Sequence, residues 1–153
     1  MSITVDGFVA SLNGKNDWIL KSSDETSRTW SLERNYDASL IVMGRKSFEI
    51  MSPYWPTAPG PFAATMNTIP KGVFTKSGYK GINVEPNTEL TPAAASWAAT
   101  KIFDGDLAEE IKALKSQEGK HILALGGAGK HLQTVFSCRI MLTETSLFLS
   151  EAV

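Results

Sequence analysis

Residues 39–48 read SLIVMGRKSF, and the fold follows from how this stretch is read. Leu40, Ile41, Val42 and Met43 form an unbroken apolar run, the mark of a strand covered on both faces. Gly44 ends the run and permits a tight turn and the close approach of a bulky group. Arg45, Lys46 and Ser47 come next. A strand that passes through glycine into a helix leaves the helix's first N–H groups open. Positive charge there adds to the dipole's preference for an anion. The stretch predicts a parallel-sheet strand followed by a helix whose N-terminus takes a phosphate.

Residues 122–131, ILALGGAGKH, repeat that grammar. An apolar run leads to Gly126, Gly127, Ala128 and Gly129, then Lys130 and a helical-looking segment. Neither junction completes a known short signature. A phosphate-binding Walker loop needs glycine at Ala124 and Ser or Thr at His131, and the three-glycine dinucleotide fingerprint is incomplete. Either junction alone reads most simply as an ordinary turn. The pair, each with a basic residue, keeps a ligand with two phosphates open beside that reading.

Composition sets the outer limits. The 153 residues suit one domain with a real core, and 42% hydrophobic and 20% charged residues are those of a soluble globular chain. A net charge of −1 gives no reason to expect nucleic acid or an anionic membrane as partner. One cysteine precludes an internal disulfide and suits a reducing, cytoplasmic setting, and two histidines beside it argue against a structural metal site. No apolar run approaches the roughly 20 residues that span a bilayer. The N-terminus lacks the regions of a signal peptide.

Taken in order, residues 1–10 predict a strand and residues 12–16 a turn. Trp18 then lies on a loop, where it lines a pocket or, more commonly, plugs the core. Ser22 and Glu25 read as a capping box opening a helix to about residue 35, with Trp30 as its inward anchor. Asp24 falls in the first turn, where a carboxylate is stabilised by the dipole. Its functional alternative is to help protonate a substrate. Residues 45–51 predict a short helix. Residues 52–61, with four prolines and one glycine, predict an irregular loop. Residues 62–68 predict one or two helical turns, and residues 71–76 a short strand ending on Thr75 and Lys76. Residues 78–91 predict a loop with room for a strand at 82–84, and residues 98–103 a strand. Residues 106–117 predict the clearest helix, capped by Asp106 with an inward stripe of Leu107, Ile111 and Leu114. The second junction, a helix to about residue 137 and a strand at 139–149 complete the chain. Alternation of strand and helix predicts a mainly parallel α/β sheet with right-handed crossovers. Gly44, Thr75 and Gly126 all fall at strand carboxyl ends, where such sheets bind ligands.

These segments together resemble the dihydrofolate reductase-like family. The similarity is greater to the reductase domain of the bifunctional riboflavin-biosynthesis deaminase-reductase and its stand-alone relatives. VDGFVA at 5–10 resembles the opening strand, Asp17-Trp18 the loop after it, and IVMGRKS at 41–47 the most specific motif. Met66-Asn67, residues 70–75, Trp97, Gly105-Asp106, the glycine turn at 125–129 and Leu142-Thr143 follow in the family's order and span almost the whole chain.

The resemblance implies a three-layer α/β/α dihydrofolate reductase-like fold and an NADPH-dependent reductase. Gly44, Arg45, Lys46 and Ser47 would bind the pyrophosphate and the adenosine phosphate side. Thr75 and Lys76 would hold the 2′-phosphate, and Gly126, Gly127, Ala128 and Gly129 would pack on the pyrophosphate. Val9 and Ala10 would lie along the nicotinamide. Trp18, Asp24 and Thr143 would face a small heterocyclic substrate, either a phosphoribosylaminouracil-like riboflavin precursor or a pterin-like compound. Asp24 is offset by about one position from the family's carboxylate. Family members also continue into at least one more strand after the segment at 139–149. The chain is therefore expected to be a single reductase-like domain over residues 1–153 with an open sheet edge that favours a homodimer. The alternatives are a non-catalytic nucleotide-binding module of the same fold, or a domain whose glycine turns are structural and whose role is assembly.

Overall fold

The computed structural model describes residues 17–76 and 78–126, and of residues 17, 18 and 20 the backbone alone. The expected strand at 1–10, the helix to about 137 and the strand at 139–149 lie outside the described residues. Among the described residues eleven elements follow one another: α1 (Asp17–Ser22), α2 (Glu25–Tyr36), β1 (Ala38–Gly44), α3 (Arg45–Tyr54), a 3₁₀ turn (Trp55–Thr57), α4 (Pro61–Thr68), β2 (Lys71–Phe74), α5 (Pro92–Ala98), β3 (Lys101–Phe103), α6 (Leu107–Lys115) and β4 (His121–Leu125).

The four strands make one sheet in the order β3-β2-β1-β4, and every pairing is parallel. β1 is central, which is why its residues 41–43 are buried without alternation. Ile41 and Met43 face one side of the sheet. There they join Val73, Phe48, Met66 and Trp97 in the main core, under α3, α4 and α5. Leu40, Val42, Phe74 and Phe103 face the other side, across from Ile111 and Leu114 of α6. Helices therefore cover both faces, and the three-layer α/β/α dihydrofolate reductase-like architecture is the one present.

Several local expectations are corrected. The helix α2 is capped by Asp24, whose Oδ1 accepts the Ser27 N–H at 2.8 Å, and not by Ser22, which closes α1. Trp18 accordingly sits in a short helix and not on a loop. The helix α3 does not stop at residue 51 but runs through Pro53 to Tyr54. A proline so near a helix end removes a single hydrogen bond. The chain then tightens into the 3₁₀ turn, with the Ala58 N–H donating to Trp55 O at 3.3 Å. The stretch near residue 98 is helix: Thr91 Oγ1 accepts the Ala94 N–H at 3.2 Å, and Pro92 occupies the first turn. Only residues 101–103 remain for β3. Residues 82–84 form no strand.

The helix α6 matches its expectation closely. Asp106 Oδ1 accepts the N–H groups of Ala108 at 3.0 Å and Glu109 at 3.2 Å, and Ile111 is buried. At the opposite end of the sheet from the glycine junctions, His121 Nε2 lies 3.0 Å from Asp37 Oδ2. That contact ties the start of β4 to the turn before β1.

Candidate functional site

Three strand ends meet at one edge of the sheet, and the register places them. Gly44 pairs with Phe74, and Met43 with Leu125. The residues that follow, Thr75 and Gly126, therefore flank Gly44 on either side. From β1 the chain moves outward through β2 to β3, then returns to the far side of β1 as β4. The crevice between β1 and β4 is where strand order reverses, and in open α/β sheets ligands bind at such a point.

β1 passes into α3 without an intervening loop. Gly44 is the N-cap, in extended backbone, with no side-chain cap and no acidic residue in the first turn of the helix. Among the described residues nothing lies within 4 Å of a Cβ on Gly44. Arg45, Lys46 and Ser47 occupy the first turn, and the completely buried Phe48 roots the helix in the core. Burial of Phe48 holds the helix N-terminus in place relative to the sheet. This edge has groups an anion can use: the N-terminus of α3, whose cap residue has no side chain, and two cations.

On the neighbouring strand the Thr75 N–H donates to Phe103 O at 2.9 Å, extending the ladder one residue past β2. Thr75 is buried and Lys76 is exposed beside it. On the other side Gly126 is half-buried at the end of β4. The expected residues Gly44, Arg45, Lys46, Ser47, Thr75, Lys76 and Gly126 thus share one edge. Gly127, Ala128, Gly129, Val9, Ala10 and Thr143 lie outside the described residues. Trp18 is placed by its backbone alone, in α1.

Asp24 is tied into its own helix. Its carboxylate is exposed and accepts the Ser27 N–H, and this hydrogen bond holds the carboxyl below its ordinary range. A single residue, Asp37, separates α2 from β1. A twelve-residue helix is about 18 Å long and seven strand residues about 23 Å. α2 packs on α4.

Two neighbours of Arg45 were not foreseen from the sequence. Glu49 Oε1 lies 3.4 Å from Arg45 Nε, one helical turn on. The i, i+4 spacing was legible, but not its place at the ligand edge. Tyr79, from the loop after β2, packs its ring edge-on against Phe48, 6.1 Å between centroids. Its phenol is raised above its ordinary pKa, chiefly by burial and then by the Glu49 charge, with Arg45 opposing. No local pattern marked Tyr79.

A cavity of about 520 Å³ lies away from this edge, between α6 and the second sheet face. Among the described residues no helix is long and apolar enough to cross a membrane, and no group of three or more His, Cys, Asp or Glu is placed to hold a metal.

Residues 1–135 match the model of the RibD C-terminal domain family. The chain is 30% identical over 129 residues to the uncharacterized Bacillus subtilis (strain 168) protein YyaP, covering 84% of this chain and 61% of that protein. A crystal structure of a protein assigned to riboflavin biosynthesis in Shewanella sp. PV-4 superposes with a TM-score of 0.53 at 17% identity, covering 83% of this chain and 62% of that one. The chain thus spans about three fifths of the length of these relatives.

Proposed function

The chain belongs to the RibD C-terminal domain family, and from that premise we propose that it is an NADPH-dependent reductase of a small heterocyclic substrate, a riboflavin precursor or a pterin-like compound. The observation that carries this reading is the register that sets Gly44, Thr75 and Gly126 on one edge beside Arg45, Lys46 and Lys76.

The residues present fit the cofactor. The first turn of α3 and the side chains of Arg45, Lys46 and Ser47 would take the pyrophosphate and the adenosine phosphate side. Thr75 and Lys76 would take the 2′-phosphate. Gly126, with Gly127, Ala128 and Gly129, would let the backbone approach the pyrophosphate, and Val9 and Ala10 would line the nicotinamide. When bound, the cofactor supplies a hydride to a polarised C=N or C=O carbon of the substrate. The protein's part is to hold the two rings in contact and keep them from drifting.

Asp24, Trp18 and Thr143 are proposed to face the substrate. Asp24 is exposed and, like any surface carboxylate, ionised at neutral pH, so it would orient an N–H-bearing part of the substrate. The proton for the reduced heteroatom then comes from bound water.

The test is a thermal-shift titration with NADPH and NADH side by side, followed by a screen for substrate-dependent oxidation of NADPH. A ligand at about 100 times its Kd stabilises by roughly 2.7 kcal/mol, enough to move a melting curve. A larger shift with NADPH, with turnover of a heterocycle, is the expected result. Binding without turnover of any riboflavin precursor or pterin would point to a non-catalytic nucleotide-binding module. No shift with either ligand at millimolar concentration would overturn the cofactor assignment.

A further inference from the structure

The guanidinium that α3 presents at the ligand edge already has an anion beside it. Arg45 Nε and Glu49 Oε1 are 3.4 Å apart, and the side chains are 40% and 45% exposed. An ion pair this open to solvent is weak. A phosphate offers the same guanidinium a stronger, two-pronged partner. Glu49 is also the acid whose charge reaches the Tyr79 phenol, as Arg45's does with the opposite sign. Tyr79 follows Lys76 by three residues in the loop after β2, and its ring rests on Phe48. Glu49 thus lies one turn beyond Arg45 on α3, within electrostatic reach of the loop that carries Tyr79.

A phosphate arriving at Arg45 meets Glu49 in two ways. The carboxylate competes for the guanidinium, and it repels the incoming negative charge. Both effects weigh more on a phosphate monoester, with nearly two charges, than on a hydroxyl at the same place.

We infer that Glu49 is a specificity-determining residue of this edge: it holds Arg45 when no phosphate is present, yields it when one binds, and so sets how strongly the site separates NADPH from NADH. The inference rests on the dinucleotide reading above. Glu49 acts through Arg45, as a positioning residue and not as a catalytic one.

The experiment is a double-mutant cycle of Glu49→Gln and Arg45→Ala, with Kd for NADPH and NADH measured by calorimetry for all four proteins. Glutamine keeps the shape of the side chain and removes its charge. Glu49→Gln is expected to tighten NADPH about two- to fivefold, the scale of an exposed ion pair, and to change NADH less. The gain should shrink in the Arg45→Ala background. Weaker NADPH binding by Glu49→Gln, or equal changes for both cofactors, would overturn the inference. So would an undiminished gain without Arg45, which would mean direct repulsion and no exchange. If the native chain binds neither cofactor, the dinucleotide reading itself fails and the inference falls with it. If the native chain binds NADPH but Glu49→Gln changes nothing, only the inference fails.

Discussion

Lys71 Nζ lies 4.9 Å from the centre of the Trp97 ring and donates to Ser96 Oγ at 2.5 Å, with the residue only 2% exposed. This places a cation at the start of β2, under α5, where the ring and a hydroxyl replace water. Trp97 is itself completely buried and donates through Nε1 to Asn67 Oδ1 at 2.7 Å, and Asn67 Nδ2 donates to Trp55 O at 2.9 Å. The chain of contacts joins β2, α5, α4 and the 3₁₀ turn on the same face as the root of α3.

Burial lowers the Lys71 pKa from 10.5 to about 8. A lysine whose folded pKa is depressed binds fewer protons in the folded chain than in the unfolded one between those two values. Stability contributed at this site therefore rises with pH through that window and is lowest below it. Lys71→Met should be more stable than the native protein near neutral pH. Its advantage should shrink as pH climbs past about 8. Melting temperatures of the two proteins across that range check this. A difference that stays constant with pH would contradict it.

Arg45→Ala is expected to weaken NADPH far more than NADH, by about tenfold or more, since it removes a charge-assisted contact to phosphate. Lys76→Ala should act in the same direction. Calorimetric titrations with the two cofactors decide this, and equal losses for both would move these residues off the 2′-phosphate.

Gly72 has no room for a side chain. A Cβ there would sit 2.6 Å from Phe103 Cε2. That ring is held in turn by stacking on Phe74, 4.9 Å between centroids. Gly72→Ala should therefore destabilise the fold by about 1–3 kcal/mol. Trimming the obstacle in Gly72→Ala/Phe103→Leu should return part of the loss. Urea denaturation of the three proteins measures it, and a neutral single variant would show that the Phe103 ring moves aside freely.

Asp24 has a structural duty that can be separated from a chemical one. Asn caps a helix about as well as Asp, so Asp24→Asn should keep the melting temperature near that of the native chain at neutral pH, whereas Asp24→Ala should lower it. The lowered carboxyl pKa means that the charged cap's contribution is present above the ordinary carboxylate range and lost as pH falls through it. Asp24→Asn should flatten that acid limb. If Asp24 orients substrate, Asp24→Asn also loses turnover while cofactor binding is retained. Full turnover in Asp24→Asn would leave the residue a cap only.

Local chemistry determined much of this protein in advance. The apolar run at 40–43 made a central strand because a strand buried on both faces needs no alternation. The glycine after it, the cations beyond and the Asp106 cap were legible because each acts on its nearest backbone neighbours. The carboxyl-edge placement of Gly44, Thr75 and Gly126 followed from strand–helix alternation alone. What depended on distant partners was not legible. The cap at Thr91 and Pro92 starts the helix near residue 98 locally, but the burial of Trp97 against Phe48 and its bond to Asn67 lie across the chain. α3 ran on to Tyr54, and Trp55 after it packed against Phe62 of α4. Lys71 became a buried cation, and Tyr79 came to rest on Phe48 near Arg45, only once β2 lay beside β1. Propensity and capping are read from a few adjacent residues. Burial and electrostatic company belong to whichever surfaces the sheet brings together.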